Sequence, residues 1–174
     1  MKLSERLEKA LNKQVNMEMH AAYLYKGMEQ YFKENGYAQY AHFFNEHVKE
    51  ELKHANDFES FIEDVDGHVE FFSIEGVVTE YASPKAAFDA AMEHEKEISA
   101  SIIGILEIAI EEKHYAAENF LRTYVDEQVE EEASADEVVQ NLKLAQGAPG
   151  ALFMLDRELG TRVPAITVNA PAAD

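Results

Sequence analysis

The chain has 174 residues, 47% of them hydrophobic, which suits one folded domain with a real core and excludes a disordered chain. Its 34 acidic against 15 basic residues give a formal net charge of −19, which disfavours nucleic acid and anionic membrane surfaces as partners and favours cations. There is no cysteine, so disulfides, thiolate metal sites and thiol nucleophiles are excluded, and no stretch approaches the roughly 20 apolar residues of a membrane helix. Met1 to Arg6 holds no apolar run, so no signal peptide is expected and the protein is expected to be soluble and cytoplasmic.

The pattern from Ser4 to about Glu34 is helical, with Ser4 as N-cap. Its seam reads Leu7, Leu11, Gln14, Glu18, Ala21, Tyr25, Met28, Phe32, in alternating steps of four and three. Asn35-Gly36 ends it, and a second helix is expected from about Tyr37 to Val65, antiparallel to the first because the turn is short. The second seam is Tyr40, Phe43, Phe44, His47, Glu51, His54, Phe58, Phe61, Val65, closed by Asp66-Gly67. From His68 to Pro84 there is no helical period, yet Phe71, Phe72, Val77, Val78 and Tyr81 make the stretch too apolar for a free linker. Extended at about 3.3 Å per residue, it can run the length of the second helix and return the chain for a parallel third one. This is a long crossover rather than a hairpin.

Ser83 and Pro84 start the third helix, whose seam is Phe88, Ala91, Glu95, Ile98, Ile102, Ile105, Ala109 and which breaks near Lys113-His114. The fourth is expected from about Tyr115 to Gln146, with the seam Leu121, Tyr124, Gln128, Glu131, Ala135, Val138, Leu142, Ala145 and a cap at Gly147. Pro149 opens a short fifth helix to about Leu159, with Gly160 after it. Residues 1–160 thus read as one all-α domain, and Thr161 to Asp174 as a frayed tail.

Every long helix carries a carboxylate inside its apolar stripe: Glu18, Glu51 with His54, Glu95, and Glu131 with Gln128. Each lies within about one turn of the middle of its helix, so packing brings them to one level. Burying an unpaired carboxylate costs several kcal/mol, and no Lys or Arg stands in any seam. Either these acids protonate or cations sit among them. Oxygen-rich donors with a single imidazole suit iron or manganese better than zinc or copper(I), and paired ferrous ions can deliver two electrons to dioxygen. Glu111 and His114 repeat the Glu-x-x-His spacing, but off the seam and at a helix break. His20, His42, His47, His68 and His94 read as surface or ordinary packing residues.

The stretches Leu11-Asn12-Lys13-Gln14-Val15-Asn16-Met17-Glu18, Glu50-Glu51-Leu52-Lys53-His54, Glu93-His94-Glu95 and Glu127-Gln128-Val129-Glu130-Glu131-Glu132 together resemble those of the non-haem ferritins. The likeness covers nearly all the chain to Gly160. It implies a ferritin-like four-helix bundle with a long crossover between the second and third helices and a short fifth helix. It also implies a di-iron ferroxidase centre in a hollow shell of 24 subunits that stores ferric mineral. By that resemblance Glu18, Glu51 and His54 hold one iron, and Glu51 bridges to a second held with Glu95 and Glu131, with Gln128 close by. Glu50, Glu127 and Glu130 match the third iron site of prokaryotic-type ferritins, with Glu131 able to contribute; as bare residues they also read as a solvated acidic patch. Tyr25 matches a tyrosine thought to assist electron transfer, and equally reads as seam packing.

Leu52 stands where haem-binding bacterioferritins place a Met, so no haem is expected. Gln128 and Glu131 replace a second Glu-x-x-His, which argues against bacterioferritin and rubrerythrin-like sites, and Thr123 stands where many relatives have Trp. The expected function is ferroxidase iron storage, with Fe²⁺ and dioxygen or hydrogen peroxide as substrates. The competing readings are a catalase-like di-iron or di-manganese oxidase on the same bundle, and a metal-free structural bundle. A DNA-protecting miniferritin is disfavoured, because its site is split between subunits and this chain holds a complete set.

Overall fold

Local chemistry sets the helix ends. The computed structural model describes residues 2–146, 148 and 150–160. Helix α1 (Glu5–Glu34) starts where the Ser4 side chain accepts from the Leu7 N–H, and α3 (Pro84–Glu111) where Ser83 accepts from the Ala86 N–H with Pro84 at the first helical position. After α1, Gly36 turns left-handed at φ 79, and the Tyr37 N–H reaches back to the Phe32 carbonyl. Helix α2 (Ala38–Asp64) ends similarly, but the left-handed residue there is Asp66 at φ 59, not Gly67. Between α3 and α4 (Tyr115–Leu144), Lys113 takes φ 57, and His114 serves as the N-cap by accepting from the Ala117 N–H. The short α5 covers Ala151–Leu159, behind Gly150. The cap expected at Gly147, the start expected at Pro149 and the tail from Thr161 lie outside the described residues.

Helix α1 packs along α2 and α3 along α4, while α1 also touches α3. The crossover climbs the side of α1. The Asn12 amide donates to the His68 carbonyl at 2.9 Å, and its side-chain oxygen accepts from the Glu70 N–H at 2.6 Å. Farther along, the Val78 carbonyl lies so near Gly27 that a Cβ there would sit 2.6 Å from it, and Tyr81 meets the Tyr31 ring edge-on at 5.3 Å. Phe71, Phe72, Ile74 and Val78 of this segment stay exposed on the single chain. The result is an all-helical four-helix bundle with a long crossover and a fifth helix, and no strand among the described residues.

Two apolar blocks fill the bundle. One gathers Leu7, Leu11, Val15, Phe58, Ile98, Ile102 and Leu121; the other gathers Tyr25, Phe32, Tyr40, Phe44, Phe88, Val138 and Leu142. Each ring or branched chain sealed in this way contributes about 1.5–3 kcal/mol against leaving it in water. Between the blocks, at the level of Glu18, Glu51, Glu95 and Gln128, runs a buried polar layer. Helix α5 packs Leu152, Leu155 and Leu159 on the second block. Its Asp156 is buried, and one carboxylate oxygen accepts from both the Gln39 and Tyr40 N–H groups, at 3.0 and 2.9 Å. This carboxylate caps α2, whose own N-cap residue, Tyr37, supplies no side-chain bond.

Candidate metal centre

The seam positions read from the sequence bring Glu18, Glu51 and His54 together: one ligand atom of each lies within 4.8 Å of the other two, and all three residues are buried. Glu18, on α1, is tied on one side only. The Gln14 amide donates to its Oε1 at 2.8 Å, and Gln14 in turn accepts from the Ser101 hydroxyl at 2.5 Å. Oε2 is buried with no protein partner. On α2, His54 Nδ1 lies 3.3 Å from Glu51 Oε2 and Nε2 lies 3.4 Å from Glu127 Oε2. Its ring meets Tyr124 edge-on at 5.4 Å, and the Tyr124 hydroxyl donates to Asp57 at 3.2 Å.

On the opposite side of the layer, the Tyr25 hydroxyl donates to Glu95 Oε1. The Gln128 amide donates to Glu95 Oε2 at 3.1 Å and also contacts the Glu95 carbonyl and the Ser99 hydroxyl. Glu131 turns toward α2 instead, where its Oε2 lies 3.2 Å from His47 Nε2. His47, Glu50 and Glu131 form a second group with ligand atoms mutually within 4.8 Å. Glu127 reaches His54, and Glu130 is exposed, so the acidic trio Glu50, Glu127 and Glu130 is not gathered at one point by the protein groups alone.

Electrostatics follows from that burial. Burial, then the charge of Glu51, holds the Glu18 carboxyl well above the usual range. Burial, then Glu51 again, pushes Glu95 up to about 7, and burial, then Glu131, pushes Glu50 up to about 7. For the two histidines burial acts downward but loses to their acidic neighbours. Bonds to Glu127 and Glu51 take His54 up to about 11, and Glu131 takes His47 up to about 9. Burial acts upward on Glu131, yet pairing with His47 holds it below the usual range. Burial, then Glu95, raises the Tyr25 phenol far above its ordinary value. The protein groups thus balance their charge with protons and two imidazolium rings. A divalent cation does the same work when it displaces those protons. The lone Oε2 of Glu18, on a residue grouped with a second carboxylate and one imidazole, fits such an ion.

His47, by its sequence pattern a surface or ordinary packing residue, is instead an ion-paired member of the polar layer. Its place in the α2 stripe, four residues before Glu51, was the available signal. Gln14, one turn before Glu18 in the α1 seam, was the signal for the bond that orients Glu18; Ser99 and Ser101 had none. Glu111 pairs with Arg6 at 2.7 Å, and the His114 side chain caps α4, so both residues of that spacing have other partners. No helix among the described residues is long and apolar enough to cross a membrane.

The Ferritin family, described as a ferritin-like domain, matches residues 8–145. A bacterial non-heme ferritin of Bacteroides fragilis is 35% identical over 160 residues, covering 92% of this chain and 99% of its own. One from Staphylococcus aureus is 34% identical, with 92% and 96% covered. A solved structure of an open pore ferritin from the hyperthermophilic archaeon Archaeoglobus fulgidus superposes with a TM-score of 0.90 at 40% identity, covering 93% of this chain and 100% of that one. An A. fulgidus ferritin engineered to a closed form gives 0.89 at 40% identity, with 93% and 99% covered. With its bundle, crossover and mid-height layer of acids, this chain belongs to the ferritin family, among the non-haem members.

Proposed function

We propose that the protein is a ferroxidase that stores iron. Glu18, Glu51 and His54 hold one ferrous ion; Glu51 bridges to a second, held with Glu95 and Glu131 beside Gln128. Each ion gives up one electron, and dioxygen takes both electrons with two protons to leave as hydrogen peroxide, which can itself serve as oxidant for a further pair. The residues act by position. Gln14 fixes one oxygen of Glu18 so that the other faces the ion, and Tyr25 and Gln128 hold Glu95 from two sides. Tyr25, bonded to Glu95, assists electron transfer to the centre.

The ferric ions move on past Glu50, Glu127 and Glu130 to mineralise inside a shell of 24 copies in the cytoplasm. A chain of net charge −19 suits a cavity that attracts cations, and needs neither nucleic acid nor a membrane as partner. The observation that carries this reading is the buried group Glu18, Glu51 and His54, one of whose carboxylate oxygens, Glu18 Oε2, is unpartnered.

The test is aerobic addition of Fe²⁺ to the assembled protein, following ferric absorbance, beside the His54→Ala variant. Rapid oxidation with retained mineral is expected from the wild type, and slow oxidation from the variant. Wild-type kinetics in the variant would sink the assignment. Turnover without mineral would move the protein to the oxidase class, and light scattering that shows a dimer in place of a particle near 24 subunits would remove the shell.

A further inference from the structure

Two histidines that the proposed centre does not use meet where α1 touches α3. His20 lies two residues past Glu18 on α1, and His94 directly precedes Glu95 on α3, so both stand near the height of the polar layer. Their ring centroids are 5.7 Å apart. His94 is only 9% exposed, and its Nε2 is buried with no hydrogen-bond partner. Its Nδ1 lies 3.8 Å from Glu97 Oε2, too far for a hydrogen bond. A buried ring nitrogen without a partner is an unmet cost, and a bound cation removes it. The His94 ring also meets Tyr25 edge-on at 6.2 Å, while His20 is partly exposed and Glu97 exposed, so an ion in water can reach the pair.

We propose that His20 and His94 form a binding site for a nitrogen-preferring divalent cation of the Zn²⁺, Cu²⁺, Ni²⁺ class, with Glu97 as an oxygen donor. Two imidazoles on one such ion, each nitrogen at about 2.0–2.1 Å in tetrahedral geometry, hold their ring centroids about 5 Å apart. The rings as they stand, at 5.7 Å, need only a small turn of the partly exposed His20 side chain. Glu97 lies three residues along α3 from His94 on the same face, so its exposed carboxylate can swing onto the ion. Water fills the remaining position. An imidazole-rich set prefers these ions to Mg²⁺ or Ca²⁺, which take oxygen donors. No carboxylate of the mid-height layer belongs to the site, so it stands apart from the proposed iron positions and does not rest on the ferroxidase reading.

Crystals of the assembled protein soaked in Zn²⁺ test it directly. An anomalous peak at roughly 2.0–2.1 Å from one ring nitrogen of each histidine is expected. No peak between the two rings, or a peak bound to one ring alone, would overturn the proposal. In parallel, calorimetric titration of Zn²⁺ into His20→Phe, which keeps a ring at a partly exposed position, should lose one ion per subunit relative to wild type. Binding at the Glu18, Glu51 and His54 group should be kept. An unchanged stoichiometry and affinity would overturn the proposal as well. If the Phe variant fails to fold, the wild-type soak decides alone. The His54→Ala protein separates the two ideas: its rate of Fe²⁺ oxidation decides the ferroxidase reading, and a peak kept between His20 and His94 leaves this site standing whatever that rate is.

Discussion

Replacing Gln14 with Leu removes the one protein bond to Glu18 Oε1 while keeping side-chain volume nearly constant. In the structure that bond is 2.8 Å long and fully buried, and the far side of Gln14 is fastened by Ser101 at 2.5 Å. When a cation is bound, Glu18 is ionised, and a hydrogen bond to a buried charged group contributes about 1.5–3 kcal/mol. With cations chelated, Glu18 is held toward its protonated form and the lost bond is neutral, worth about 1 kcal/mol, or a Tm drop of about 2–4 °C. Only the difference between the two states weakens binding, about 0.5–2 kcal/mol, so at about 1.4 kcal/mol per decade the first cation should bind about 2- to 30-fold more weakly in Gln14→Leu. The signature is therefore a loss of affinity on top of a small loss of stability. Co²⁺ calorimetry and thermal melts in chelator measure the two halves. An affinity equal to or tighter than that of the wild type would refute the idea that Gln14 orients the ligand.

The pH dependence of the chelated protein follows from the raised acids. Glu50 and Glu95 titrate near 7 in the fold against 4.5 for a free Glu, so their share of stability is full below about 4.5 and is lost as pH rises through about 7. His47 and His54, raised to about 9 and about 11, keep their share below about 6.5 and lose it above. Melting temperature in chelator should fall steadily from pH 4.5 to 9, and a flat or rising profile would contradict the burial argument; saturating Co²⁺ should reverse the slope, because the ion binds the deprotonated acids. Asp156→Ala strips the acceptor from two α2 N–H groups and should cost about 1–2 kcal/mol, a magnitude usual for a lost cap. Hydrogen exchange should quicken at Gln39, Tyr40 and along α5 together; loss confined to α5 would show that the cap is incidental.

The helices were legible because caps and seams agreed. Ser4, Ser83 and Pro84 mark the starts, and all eight α1 seam residues from Leu7 to Phe32 are buried. The carboxylates were legible for the same reason: an acid in an apolar stripe has nowhere else to point. What stayed hidden depends on partners remote in sequence. The course of the crossover is set by Asn12 reaching His68 and Glu70, more than 50 residues away, and Asn12 lies off the α1 seam. Asp156 capping α2 spans a still longer interval. The pairing of His47 is hidden because helical periodicity says which face a residue occupies, not which acid on another helix it will meet. The turn of Glu131 toward α2, rather than toward Glu95, is a rotamer choice of the same kind.

The proposed ligands of the ion pair come from both hairpins. Glu18, Glu51 and His54 stand on the α1–α2 hairpin, and Glu95 and Glu131, with Gln128 beside them, on the α3–α4 hairpin. Within the subunit the two halves meet through side chains and are joined covalently only by the crossover. An ion pair seated between them would act as a rivet, so loading should slow the separation of the hairpins more than the fraying of any single helix. In such a molecule the cargo reinforces its own container from the first atoms taken up.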